Sequence, residues 1–216
     1  MAKLRNAFFK LKAQCDMWSR RRRLKHTDFS IISNNCWAGT AVYQPFGLKY
    51  NTPTVGLFFM DEDYICFLER VYWYLNQSLE FISPEKSKYY DKISDNGNRK
   101  VKYPIALLGG DVEVHFLHYS NCEEARKKWE RRARRLNPNK MLVKMSIRDN
   151  GYDITTMLNR FCNLPYKNKI CFSPIPYPSS SIVCVPELKT LNLVGGDETE
   201  FTLKKIDVYS LLNSIN

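Results

Sequence analysis

No stretch of this 216-residue chain approaches the ~20 consecutive apolar residues that a membrane-spanning helix needs. The N-terminus lacks an uninterrupted apolar segment too, so no secretory signal peptide is legible. The seven cysteines (Cys15, Cys36, Cys66, Cys122, Cys162, Cys171 and Cys184) include no CxxC pair. Their number is odd, and several lie in apolar runs, where a free thiol behaves as a small hydrophobe. This argues against a zinc ribbon and a disulfide framework, and for a cytoplasmic setting. Glycine and proline, at 9 and 10 residues, are too few for a linker or a fibrous chain. No phosphate-cradling glycine motif, GxSxG elbow or internal repeat is present.

What remains is a folding sequence. Hydrophobic residues make up 44% and aromatics 13%, enough for a substantial core, while 25% charged residues exclude general disorder. The length fits one domain with a terminal extension. The formal net charge is +11, which favours phosphates, anionic lipid surfaces or acidic substrates. Nine Lys or Arg residues precede His26 against a single acid, Asp16, and a second basic concentration runs from Arg126 to Arg135.

Residues 1–26 are expected to form a basic amphipathic helix, with Leu4, Phe8, Leu11 and Cys15 on one face, widened by Phe9, Met17 and Trp18. Such a helix suits an anionic membrane surface at the inner face of the plasma membrane, or packs on the domain with its arginines solvated. Residues 27–216 are expected to form one layered α/β domain, its largely parallel or mixed sheet flanked by helices. Strands are expected at 29–33, 54–60, 103–108, 112–119, 141–147, 169–172 and 182–185. Helices are expected at 62–81, 120–136 (with Ser120 and Glu123 in capping-box spacing), 154–161 and 206–212. The polar stretch 84–100 reads as a mobile excursion, and Gly195-Gly196 as a turn.

Two clusters carry the chemistry. Asn34, Asn35 and Cys36 follow the first strand, at the strand end where open α/β sheets bind ligands. The asparagines offer paired donors and acceptors, and Cys36 is a candidate nucleophile or covalent carrier; the bland reading is a turn around a buried thiol. In the strand near 111–119, alternation puts Asp111, Glu113 and His115 on one face with Tyr119, and His118 on the other. Carboxylates beside imidazoles can supply a general base. Asp61-Glu62-Asp63 resembles a DxD diphosphate-metal motif, but capping of a helix start accounts for it. Arg131 to Arg135 could receive phosphate or an acidic sugar, whereas Trp129 falls on the apolar helix face, which argues against nucleic acid. The sequence names no cofactor and no metal site.

The stretches FSIISNNCWAG, PTVGLFF, DYICFL, YPIALLGGDVEVHFLHY and EEARKKWERRARRLN, in this order and spacing, resemble the bacterial family defined by the domain of unknown function 1919. The resemblance covers roughly residues 29–172. It implies an α/β fold and a setting in exopolysaccharide or capsule synthesis. Positions with a claim to a shared site are Asn34, Asn35, Cys36, Asp63, Asp111, Glu113, His115, His118, Tyr119, Trp129 and Arg132. The expectation is a transferase acting on a sugar or lipid-linked glycan precursor. It would take a sugar nucleotide or acyl donor and a glycan acceptor, with Asp111, Glu113, His115 and Cys36 as catalytic groups. The alternative is a non-catalytic, glycan-binding accessory protein of a polysaccharide assembly complex.

Overall fold

A computed structural model of the chain describes residues 2–148, 153–192 and 196–216, with side chains from residue 11 onward. Helix α1 (Ala2–Arg22) leads the chain. The side chains of Leu4, Phe8 and Phe9 on its expected apolar face lie outside the described residues, and so does Gly195 of the expected turn.

Strand β1 (Ser30–Ser33) opens a four-stranded parallel sheet, and all four of its residues are buried. Burial on both faces is what a parallel strand requires, and it explains the continuous run around Ile31 and Ile32. β1 lies at the sheet edge, yet its outward N–H groups are satisfied: Ile31 donates to the Tyr43 hydroxyl at 3.1 Å and Ser33 to Thr54 Oγ1 at 3.0 Å. After β1 a π-helical turn over Ala38–Tyr43 carries the chain away.

Next come α2 (Asp61–Glu69), α3 (Val71–Leu75), β2 (Leu79–Ile82) and α4 (Tyr90–Ile93), then β3 (Ile105–Leu108) and β4 (Val112–His115). The expected single helix over 62–81 is thus two short helices and a strand. Arg70, at φ −139° and ψ 40°, interrupts the helix. β2, β3 and β4 form a separate antiparallel sheet, joined between β3 and β4 by Gly109 and Gly110, both at positive φ. The ring of Trp73 leaves no room for a Cβ at Gly109: an added one would meet it at 2.6 Å.

Residues 54–60 are not the expected strand. They cross between the sheets: Phe58 makes a lone two-way bridge with His115, at 2.8 and 2.9 Å, while Phe59 N–H donates to the Asn34 carbonyl at 2.9 Å. Part of the stretch 84–100 is packed, with Tyr89 and Ile93 buried in a cluster with Phe58, Met60 and Ile105, while residues 95–100 are exposed.

The chain continues through α5 (Cys122–Ala133), β5 (Met141–Ser146), α6 (Ile154–Asn163), β6 (Asn168–Ser173), β7 (Ile182–Cys184), α7 (Thr199–Leu203) and α8 (Val208–Asn213). The parallel sheet has the order β1-β5-β6-β7. The cap of α5 sits one residue later than expected, because the Asn121 side chain accepts from Glu124 N–H at 2.9 Å. The Glu124 carboxylate in turn accepts from the N–H and hydroxyl of Ser120. Ala125 and Trp129 turn inward, and Trp129 meets Phe116 edge-on in the main core.

Candidate functional site at the carboxyl edge of the parallel sheet

The carboxyl ends of β1 and β5 lie side by side, since Ser33 pairs with Lys144. Asn34 locks these ends together. Its amide donates to the Ser146 carbonyl at 2.9 Å, and its carbonyl accepts from Ser146 N–H at 3.0 Å. Asn34 is therefore spent on these backbone groups and on Asp61, to which its amide also donates at 3.4 Å, while Asn35 and Cys36 open toward a cavity of about 250 Å³. Trp37, Thr40, Phe58, Leu117, His118, Arg148 and the segment Gly196–Glu198 complete its lining.

The floor holds a buried charge cluster. Lys144, in the middle of β5, is fully buried and pairs with Glu198, which also meets Arg148 at 3.2 Å. Ser146 donates to the same carboxylate at 2.5 Å. Burial alone would raise the Glu198 carboxyl, but Lys144 and Arg148 outweigh it and hold the group at about 2. Lys144 also donates to Asn35 Oδ1 at 2.9 Å, and the same oxygen accepts from Trp37 N–H at 3.1 Å, which fixes the start of the π-helical turn. Asp61 accepts from Arg148 N–H at 3.1 Å; burial pushes its carboxyl up to about 7. Helix α7 is anchored by Trp37, whose indole donates to Thr202 at 2.8 Å, and by a 2.6 Å contact between the Thr40 and Thr199 hydroxyls.

A second cavity, about 390 Å³, shares Cys36, Thr40 and His118 with the first and continues past Gln44, Tyr50, Tyr119, Lys128 and Arg132. The two make one groove that bends around His118, an exposed histidine whose backbone N–H donates to the Gly56 carbonyl. Cys36 lies at the bend. Burial pushes its thiol up to about 11, against the pull of Lys144, so the uncharged form prevails at neutral pH.

The residues expected to act together divide in two. Asn35, Cys36, His118, Tyr119 and Arg132 line the groove. Asn34, Asp63, Asp111, Glu113, His115 and Trp129 line neither cavity. Glu113 and His115 do share a face, but that face is covered by the segment around Ser87–Tyr89. Glu113 accepts from the Ser87 hydroxyl at 2.5 Å and from Lys88 N–H at 2.7 Å. Asp63 accepts from the Glu113 N–H, the Lys88 ammonium and the Tyr89 hydroxyl. His115 is fully buried, makes no hydrogen bond through either ring nitrogen among the described residues, and has its pKa driven down to about 3 by burial and then by Lys88. Asp111 stands apart in the β3–β4 turn, held by Arg70 and Tyr74. Trp129 is core. In the acidic triplet, Asp61 and Asp63 are bonded internally on separate networks and Glu62 pairs with Arg160.

Sequence reasoning missed Lys144, Arg148 and Glu198. Lys144 carried a signal, a lone charge at the centre of the apolar strand Met141–Ser146, which demands a buried partner. Glu198 carried none, since it sits in a polar stretch like any exposed turn.

Fold and site define a class: an α/β domain with a charged, partly enclosed groove at the carboxyl edge of a parallel sheet. The chain belongs to the family described as Domain of unknown function (DUF1919), whose model matches residues 7–213. An uncharacterized protein of Haemophilus influenzae is 30% identical to it over 205 residues, covering 91% of this chain and 90% of that protein. No helix among the described residues is long and apolar enough to cross a membrane.

Proposed function

We propose that the protein is a transferase acting on a sugar or lipid-linked glycan precursor in surface-polysaccharide synthesis, with the groove around His118 as its substrate site. The observation that carries this reading is the meeting of two cavities at Cys36, Thr40 and His118, beyond the carboxyl ends of β1 and β5. His118 is the titratable side chain exposed at the bend, and it takes the role of general base. In glycosyl transfer the acceptor hydroxyl attacks the donor's anomeric carbon. The bond from that carbon to the phosphate oxygen breaks, the hydroxyl proton passes to His118, and the phosphate leaves on the side of Lys128 and Arg132. Glycosyl transfer is favoured over acyl transfer because a thiol held at about 11 is a poor covalent carrier.

The test is a binding and turnover screen with sugar nucleotides and acyl-coenzyme A donors. His118→Asn is expected to lower turnover by about 10²–10⁴-fold with donor affinity little changed. Cys36→Ala is expected to stay within about threefold of the parent, as the loss of a neutral group that makes no covalent bond predicts. Full activity in His118→Asn, or an inactive but folded Cys36→Ala, would sink this assignment.

The second reading, an accessory protein docked on a membrane, is favoured by α1. Leu11 and Trp18 stand 60% and 62% exposed on it, beside the exposed Lys12 and Arg20–Arg22. Each Lys or Arg near an anionic surface contributes about 1 kcal/mol, and Trp suits the interface. The full chain is expected to co-sediment with phosphatidylserine-containing vesicles and not with phosphatidylcholine alone. Glutamine at Arg20, Arg21, Arg22 and Arg23 together should abolish that binding. Equal binding by parent and variant would remove the membrane from this account. Membrane binding without any donor binding would favour the accessory protein.

A further inference from the structure

Among the described residues the buried cations Arg132, Lys144 and Arg148 differ in their partners. Lys144 and Arg148 share the carboxylate of Glu198. Arg132 is 7% exposed, yet among the described residues no carboxylate lies within 4.0 Å of its guanidinium. Its Nη1 donates to the Val55 carbonyl at 3.0 Å and to the Tyr119 hydroxyl at 2.6 Å, and the guanidinium lies 4.9 Å from the centre of the Tyr50 ring. A carbonyl, a phenol and a ring face orient the group without cancelling its charge. A charge withdrawn from water and left uncompensated is costly, and an anion placed against it relieves that cost.

Arg132 lines the 390 Å³ cavity, and the rest of that lining agrees. Lys128, one turn earlier on α5, is a second cation whose ammonium is paired with Glu124, and among the described residues no Asp or Glu lines the cavity itself. Gln44, Tyr50 and Thr40 add neutral polar groups, with Gln44 donating to the Tyr50 hydroxyl at 3.2 Å. The tyrosines limit how far the guanidinium can turn, which suits a planar fork gripping paired anionic oxygens.

We infer that this end of the groove is a phosphoryl-binding subsite, in which Arg132 and Lys128 take the diphosphate of the ligand. The inference rests on the groove being a ligand site but not on the transfer chemistry, so the two can fail separately. The 250 Å³ end, beside Asn35 and Asp197, then receives the uncharged part of the same molecule.

The test is titration calorimetry on the full chain with inorganic pyrophosphate, and with glucuronate as a carboxylate comparison, at constant ionic strength. Pyrophosphate is expected to bind saturably, with Kd raised about tenfold or more by Arg132→Lys, which keeps the charge and loses the fork. Lys128→Gln, at a partly exposed helix position, should raise Kd about threefold and keeps the test valid if Arg132→Lys fails to fold. Pyrophosphate binding no tighter than chloride, or unchanged by both variants, overturns the subsite. Glucuronate binding in place of pyrophosphate also overturns it. A sugar nucleotide that binds parent and Arg132→Lys equally removes the subsite and leaves the transferase standing. Arg132-dependent pyrophosphate binding with no response to any sugar nucleotide supports the subsite and removes that donor class.

Discussion

Glu198→Gln is expected to destabilise the protein by about 3–5 kcal/mol, because it leaves the fully buried Lys144 beside a neutral amide and takes a carboxylate from Arg148. Lys144 is fully buried and Arg148 nearly so, and Glu198 is the carboxylate that both contact. Glutamine preserves shape, so the anchoring of α7 through Trp37 and Thr40 is not disturbed directly. The loss therefore measures charge rather than packing. It should show as a lower urea midpoint with the m-value unchanged. Lys144→Met combined with Glu198→Gln is expected to recover part of the loss, since removing both members of a buried pair is far less damaging than orphaning one. A single Glu198→Gln within 1 kcal/mol of the parent, on the scale of an exposed pair, would show that the cluster is not the floor described here. The same substitution should weaken ligand binding in molecules that remain folded. Lys144 holds Asn35, and Asn35 sets the turn that presents Cys36 and Thr40 to the groove.

Much of the parallel sheet was legible because its strands are short apolar runs between turn signals: β1, β5 and β6 lie where periodicity puts them. The antiparallel sheet was harder. The apolar period of α2 continues through Val71 and Leu75, so no local signal marks the break at Arg70, and β2 was read as the end of one long helix. The run 54–60 has a strand's composition but lies between two sheets rather than within one, a tertiary fact that composition does not carry. In the site, Asn35, Cys36, His118, Tyr119 and Arg132 were reachable because each lies just beyond a strand or on the basic helix. Of the four residues expected on one strand face, Glu113 and His115 share it, whereas Asp111 and Tyr119 lie outside β4, and nothing local shows what covers that face. Ser87 and Lys88 satisfy Glu113 from a segment whose polar composition looked mobile. Polar residues that bond internally and polar residues that face water have the same composition.

The buried imidazole gives the clearest dependence on pH. His115 is held to about 3 in the native state against 6.5 when exposed, so between those values the unfolded chain binds more protons. Stability from this group is complete above pH 6.5 and is lost as pH falls toward 3, by up to about 1.4 kcal/mol per unit. His115→Leu removes a ring that makes no hydrogen bond among the described residues, so it should change stability little at pH 8. By pH 4 it should leave the variant about 3 kcal/mol less acid-sensitive than the parent. The groups facing the ring are Phe58, Tyr89, Tyr103 and Glu113, whose carboxylate is 3.5 Å from Nε2, with Lys88 beyond. Asp61 supplies the opposite sign. Its carboxyl is raised to about 7 from 3.8, so its contribution is present below 3.8 and lost as pH rises through 7. Lys144 and Arg148 pull that value down, whereas Glu198 pushes it up with burial. Relative to the parent, Asp61→Asn should therefore lose ground on acidification where His115→Leu gains it. Urea midpoints of the three proteins from pH 8 to pH 4 decide the matter. If the His115→Leu difference stays flat across that range, the imidazole is hydrated or bonded in solution, and the covered face of β4 is more open than described.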